Sequence, residues 1–190
     1  MHSRLPLLAV LVASLRERHR ICERMLAELT RQTQDLLNVV RVLAFVDDGN
    51  LNIGWKRNTL LYFANAEYVC FVDDDDEVSE DYIRTLVNAL QPRPDCVGIC
   101  GVVRRKTPPD MPFRHSLSYK TWTQTPRLLQ CPVDHVCPVR TELALRAGFP
   151  HLDRGEDKEY AYRLGPMLTT EIVVERPIYR YYPSAAWKRK

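Results

Sequence analysis

Tyr68-Val69-Cys70-Phe71-Val72-Asp73-Asp74-Asp75-Asp76-Glu77 is the stretch on which the fold turns. Five apolar or aromatic residues lead directly into five acids. The first half reads as a short, continuous, buried parallel strand, rich in Val and aromatics. The second half repels itself, and burying its carboxylates unpaired costs roughly several kcal/mol each. The acids are therefore expected where the strand leaves the sheet, facing water, a cation or both. In open α/β sheets that rim is where ligands bind. A hard divalent cation such as Mg²⁺ or Mn²⁺ neutralises clustered oxygens and commonly brings a phosphate-bearing ligand. A plain solvated acidic turn is the alternative, and the rest of the chain has to decide.

Upstream, Leu5 to Ala13 is an apolar run and reads as a first strand. Residues 16–34 read as a helix, with Ile21, Met25, Leu26 and Leu29 on one face. Val39 to Val46 reads as a second strand, closed by Asp47-Asp48-Gly49-Asn50, which repeats the strand-then-carboxylate order. Gly54 to Asn65 reads as a second helix, and Ser79 as the N-cap of a third. This alternation predicts an α/β fold with a mostly parallel central sheet and helices on both faces. Downstream, Cys96 to Val103 reads as a fourth strand, and residues 104–127, which hold four prolines, as a long functional loop or lid. Then come a strand at 128–133, helices at 140–147 and 156–164, and a last strand at 171–176.

The 190 residues suit a single domain, and the 45% apolar and 27% charged content is ordinary for a globular protein. A formal charge of +3 does not call for nucleic acid, so the Arg104-Arg105-Lys106 and Lys188-Arg189-Lys190 runs read as solvated faces. None of the six cysteines forms a Cys-x-x-Cys pair, which suits a reducing compartment. A zinc site from Cys131, His135 and Cys137 has unusual spacing and is not favoured. No run reaches the ~20 apolar residues that span a bilayer, and a cytoplasmic protein is expected.

Chemistry is expected at four loop clusters: Asp47-Asp48, Lys56-Arg57, Asp73 to Glu77, and Glu156-Asp157. Lys56 and Arg57 lie in a first helical turn, where backbone N–H groups favour an anion, although a solvated turn would look the same. Glu156 and Asp157 open a helix. They read either as acids stabilised by the helix dipole or as a place for a general base.

Taken together these segments resemble the inverting, family-2 nucleotide-sugar glycosyltransferases of the GT-A fold, over about Leu7 to Tyr182. Val46-Asp47-Asp48-Gly49 resembles that family's nucleobase turn, and Gly54-Trp55-Lys56-Arg57-Asn58 its helix start near the nucleotide. Phe71-Val72-Asp73-Asp74-Asp75-Asp76 resembles its Asp-x-Asp motif, and Gly155-Glu156-Asp157 its Glu-Asp motif. The resemblance implies nucleotide-sugar contacts at Ala13, Ser14, Asp47, Asp48, Lys56, Arg57, Asp73 and Asp74. It implies Mn²⁺ or Mg²⁺ at Asp75 with Asp73 beside it, and a catalytic Asp157 accompanied by Glu156. The implied partners are a nucleoside-diphosphate sugar and a hydroxyl acceptor such as a glycan, with residues 1–95 as the nucleotide-binding half and 96–190 as the acceptor-binding half. No His follows His151, so one metal ligand common in such enzymes is absent. His135 is a candidate for the acceptor or metal side, or a packed loop histidine. With no added acceptor domain or anchor in view, the acceptor is expected along residues 104–127 and near Trp122. Two other readings stand beside this one. Asp74-x-Asp76-x-Val78 fits the signature of haloacid-dehalogenase-like phosphatases, and the fold could serve a non-catalytic nucleotide-sugar-binding module.

Overall fold

A computed structural model describes residues 5–183; the basic run at 188–190 lies outside the described residues. Among the described residues ten strands form one sheet. β1 (Leu8–Leu15) lies between β2 (Val40–Asp47) and β3 (Tyr68–Phe71), parallel to both. Short β9 (Val139–Arg140) runs antiparallel between β3 and β5 (Cys96–Val103), so β5 points the same way as the first three. β10 (Glu171–Tyr181) is parallel to β5. The central sheet is thus mostly parallel, as the alternating sequence predicts. Leu8 to Val12 are fully buried, which is why β1 is apolar without alternation: both of its faces are covered.

α1 (His19–Thr33) and α3 (Tyr82–Ala89) pack together on one face of the sheet. α2 (Ile53–Phe63), α4 (Thr141–Ala147) and α5 (Glu156–Leu164) cover the other. Ser79 is not the cap of α3. Asp81 holds that position, and Ser79 donates its hydroxyl to the Asp81 carboxylate while its carbonyl accepts the Tyr82 N–H. The chain between is spent on β4 (Glu77–Val78), which pairs with β10.

The stretch 104–127 is not one long loop. β6 (Met111–His115) adds antiparallel to β5, and β7 (Thr123–Gln124) and β8 (Leu129–Cys131) extend that side branch. Pro112 hides β6 from a propensity reading, yet it points outward while Met111, Phe113 and His115 point in. The last strand also runs past the expected end at 176. It absorbs Pro177 at a register irregularity against β5 and continues to Tyr181. That extension carries Tyr179 and Tyr181 to the rim where β1, β2 and β3 end.

Candidate functional site

The four consecutive aspartates do four different things. Two of them are inside the protein, against the expectation that all would face outward: Asp74 is 3% and Asp76 1% exposed. Each is buried with partners, which is what makes burial tolerable. Asp76 accepts the Tyr179 hydroxyl at 2.8 Å and the Tyr182 N–H at 2.8 Å, tying the end of β10 to the end of β3. Burial and the nearby Asp73 charge push its pKa up to about 8. Asp74 accepts the Ser14 hydroxyl and pairs with Arg18 Nη2 at 2.6 Å. Burial still pushes it up to about 6. Asp73 receives Arg57 Nη2 at 3.0 Å, and its other oxygen lies 3.6 Å from His135 Nε2. Desolvation works against the Asp73 charge, but Arg57 and His135 outweigh it and hold the carboxyl well below its usual range. Asp75 remains, one-third exposed, with Arg18 Nη2 2.8 Å from its Oδ2.

Arg57 is the hub of the site. Its guanidinium lies 5.6 Å from the centre of the Phe71 ring and 5.5 Å from that of Phe149. One end meets Asp73 and the other, through Nη1, meets Glu156 at 2.9 Å. The first turn of α2 holds it there. Asn52 caps that turn through the Trp55 N–H, and the Gly54 N–H donates to the Leu152 carbonyl at 3.1 Å. Asn58 grips the Phe149 backbone from both sides, at 2.8 Å each. A Cβ on Gly54 would lie 1.8 Å from the Pro150 carbonyl oxygen, so this close approach requires glycine. Two segments distant in sequence, the 52–58 turn and the 149–156 segment, are thereby locked together.

Lys56 is spoken for. Its ammonium bonds Asp47 at 2.7 Å, and Asp47 also accepts the Leu51 N–H. Partial burial pushes Asp47 up; Lys56 and the backbone donor outweigh it and hold the pKa below the ordinary value. Asp48 is exposed, paired with Arg16 at 2.6 Å, and lines a side hollow with Leu15 and Gly49.

Among the described residues, two larger clefts meet at this rim. One, of about 630 Å³, is lined by Ala13, Ser14, Arg18, Lys56, Asp74 and Asp75 among others. The second, of about 870 Å³, is lined by Trp122, Asp134, His135, Asp157, Phe113 and Tyr179 among others. Arg57, Asp73, Arg154, Glu156 and Tyr181 belong to both walls. Tyr181 lies in the fields of Asp76, Asp73, Asp75 and Asp157 at once, and these charges add to burial in raising its pKa. Glu156 and Asp157 start α5 after Gly155, whose φ of +78° sets the turn. Glu156 turns inward to Arg57, and Asp157, partly exposed, faces the larger cleft. Trp122 meets Tyr162 edge to face at 5.7 Å, with Lys158 5.9 Å from its ring centre, so Trp122 is seated on α5.

His135 lines the larger cleft with both ring nitrogens buried and, among the described residues, without a hydrogen-bond partner. Burial and Arg57 oppose charging the ring; Asp134 and Asp73 outweigh them and raise its pKa. Cys131, His135 and Cys137 do not come together as a metal-binding trio among the described residues. His115, Asp134 and Cys137 do, with ligand-type atoms within 4.8 Å of one another. Their partners suit a packed interior better. His115 Nδ1 lies 2.7 Å from the Pro132 carbonyl, Asp134 accepts the Val136 N–H, and burial and Asp134 hold the Cys137 thiol protonated.

Sequence reasoning missed Arg18, Arg154 and Tyr181. Arg18 sits in a basic run that looks like an ordinary helix start, and Tyr181 lies beyond a proline taken as the strand's end.

The chain matches the family described as glycosyl transferase family 2 over residues 23–149. It belongs to that family. The fold agrees: residues 1–349 of S. aureus TarS superpose with a TM-score of 0.63 at 17% identity, covering 93% of this chain and 60% of that one. The same fragment in complex with UDP-GlcNAc superposes at TM-score 0.63 and 16% identity, over 93% of this chain and 58% of that one. Its complex with UDP gives 0.62 at 16%, over 94% and 61%. The chain thus spans about 60% of the length of these structures. No curated protein matches it. A haloacid-dehalogenase-like reading loses its footing, because the Asp74 it would use as nucleophile is buried against Ser14 and Arg18.

Proposed function

We propose that the protein transfers a sugar from a nucleoside-diphosphate donor to an acceptor hydroxyl, inverting the anomeric centre. The observation that carries this reading is the shared wall. A cleft rich in carboxylates and cations meets a second cleft holding Asp157, and Arg57, Asp73 and Glu156 stand between them. The donor's diphosphate belongs at the Arg18–Lys56–Asp75 side and the acceptor at the Asp157–Trp122 side. Because the related TarS structures are of complexes with UDP and UDP-GlcNAc, a uridine donor is the first to try.

Asp157 accepts the proton of the acceptor hydroxyl. The freed oxygen pair attacks the anomeric carbon on the face away from the diphosphate, the bond from that carbon to the phosphate oxygen breaks, and its electron pair leaves with the diphosphate. Arg57 holds Asp73 and Glu156 in place and sets where α5 presents Asp157. Asp47 fixes Lys56 beside the donor cleft, and the Val46–Gly49 turn forms its nucleobase end. His135 and Trp122 contact the acceptor side.

The donor set fits a hard divalent cation. Asp75 offers a partly exposed carboxylate, and Mg²⁺ is commonly held by one or two carboxylates plus phosphate oxygens. Asp73, engaged by Arg57, stands beside it. Mg²⁺ or Mn²⁺ there would stabilise charge on the departing diphosphate.

Incubation with UDP-, GDP- and TDP-sugars and Mn²⁺ tests the proposal. Release of one nucleoside diphosphate, lost in Asp157→Asn, is expected. No release from any donor with any of a panel of glycan acceptors would overturn it.

A further inference from the structure

Arg18 is the unexpected member of the donor cleft. It ends the tight turn Arg16–Arg18 that follows β1, and a single nitrogen, Nη2, lies 2.6 Å from Asp74 Oδ1 and 2.8 Å from Asp75 Oδ2. Asp74 is buried and needs this positive charge. Asp75 is one-third exposed and does not. The guanidinium therefore stands on the carboxylate proposed above for the cation. A monovalent and a divalent positive charge on one carboxylate repel strongly at such separation. The other cationic side chains deep in this cleft are fixed: Lys56 on Asp47, and Arg57 on Asp73 and Glu156. Arg18 alone of these three contacts the exposed carboxylate.

Resting on the reading of Asp75 given above, we propose that Arg18 is an internal counter-ion that keeps Asp75 from binding a bare divalent cation. It yields only when cation and diphosphate arrive together. Pivoting on Asp74, the guanidinium leaves Asp75 and turns its free N–H groups to the phosphate oxygens, a geometry for which Arg is suited. Arg18 is thus a positioning residue that couples cation binding to donor binding. It makes the empty site refuse metal and the loaded site hold it.

Mn²⁺ binding followed by electron paramagnetic resonance on the full chain tests this, with UDP as the diphosphate probe. Arg18→Gln keeps a hydrogen-bond donor for Asp74 while removing the charge, and Arg18→Ala is the second variant. Thermal unfolding checks that each folds. Bare Mn²⁺ should bind about tenfold or more tightly to Arg18→Gln than to the unmodified protein, the scale expected when a competing charge-assisted bond is lost. The gain in Mn²⁺ affinity that UDP brings should shrink by a similar factor. Unchanged or weaker bare Mn²⁺ affinity in the folded variants, or an unchanged gain from UDP, would overturn the proposal. Asp75→Asn separates the two layers. If Mn²⁺ binding depends on Asp75 but not on Arg18, the role of Arg18 falls and the cation assignment stands. If no protein binds Mn²⁺ with or without UDP, both fall, while donor cleavage remains an independent test of sugar transfer.

Discussion

Asp157 and Glu156 are neighbours with opposite environments. Glu156, 5% exposed, is fastened to Arg57, whereas Asp157 opens onto the larger cleft. Removing a general base typically costs about 10²–10⁴-fold in rate. Asp157→Asn should lose turnover on that scale and keep its nucleotide affinity, as read by steady-state kinetics beside a thermal-shift titration; equal turnover would remove Asp157 from the chemistry. Arg57→Met should be costly in a different way. It strands Glu156, and Asp73 in part, without their charge partner, and breaking such a buried pair costs about 3–5 kcal/mol. Urea unfolding measures this, and a loss under about 1 kcal/mol would show that the pairing does not hold the site. The sequence was informative here about residue type but not about duty. Four adjacent aspartates look alike in a string of letters. Only the fold supplies Ser14 and Arg18 to Asp74, Arg57 to Asp73, and Tyr179 with Tyr182 to Asp76.

At the scale of elements, two joints set the site. The first is the contact between the start of α2 and the 149–152 segment. Gly54→Ala would drive a methyl into the Pro150 carbonyl, and overpacking of this kind costs typically about 1–3 kcal/mol. A lower unfolding midpoint together with weaker nucleotide binding is expected; a variant as stable as the unmodified protein would contradict the close contact. The second joint is Asp76 between β3 and β10. Its raised pKa means the folded chain holds a proton that the unfolded chain releases near pH 3.9. Its contribution is therefore full below that value and is lost as pH climbs through about 8. Asp74 acts in the same sense over a window ending near 6. Melting midpoints should fall between pH 5 and 8, and Asp76→Asn should flatten part of the fall. An unaltered slope in the variant would contradict this account. The elements that could be read from sequence are those whose apolar pattern is strong: β1, β3, β5 and α5 stand within a few residues of expectation. Those that could not be read, β6 and the far half of β10, contain Pro112 and Pro177, which argue locally against strands. Neighbouring strands override them.

Over the whole molecule, the parallel sheet delivers the ends of β1, β2 and β3 to one rim, and the side branch of β6 to β8 supplies part of the larger cleft. The sequence could suggest a rim of carboxylates. It could not show two hollows sharing Arg57, Asp73, Arg154, Glu156 and Tyr181, because those five come from four separate segments. In the proposed function one hollow takes the nucleoside diphosphate with its cation while the other takes the acceptor. Thermal-shift titration of UDP, GDP and TDP, with and without Mn²⁺, on the unmodified protein, Asp75→Asn and Asp157→Asn tests it most directly. A nucleotide at 100 times its dissociation constant stabilises by about 2.7 kcal/mol. One nucleotide should do so only with Mn²⁺, Asp75→Asn should abolish the effect, and Asp157→Asn should retain it. Stabilisation that survives in Asp75→Asn, or that no nucleotide produces, would contradict it.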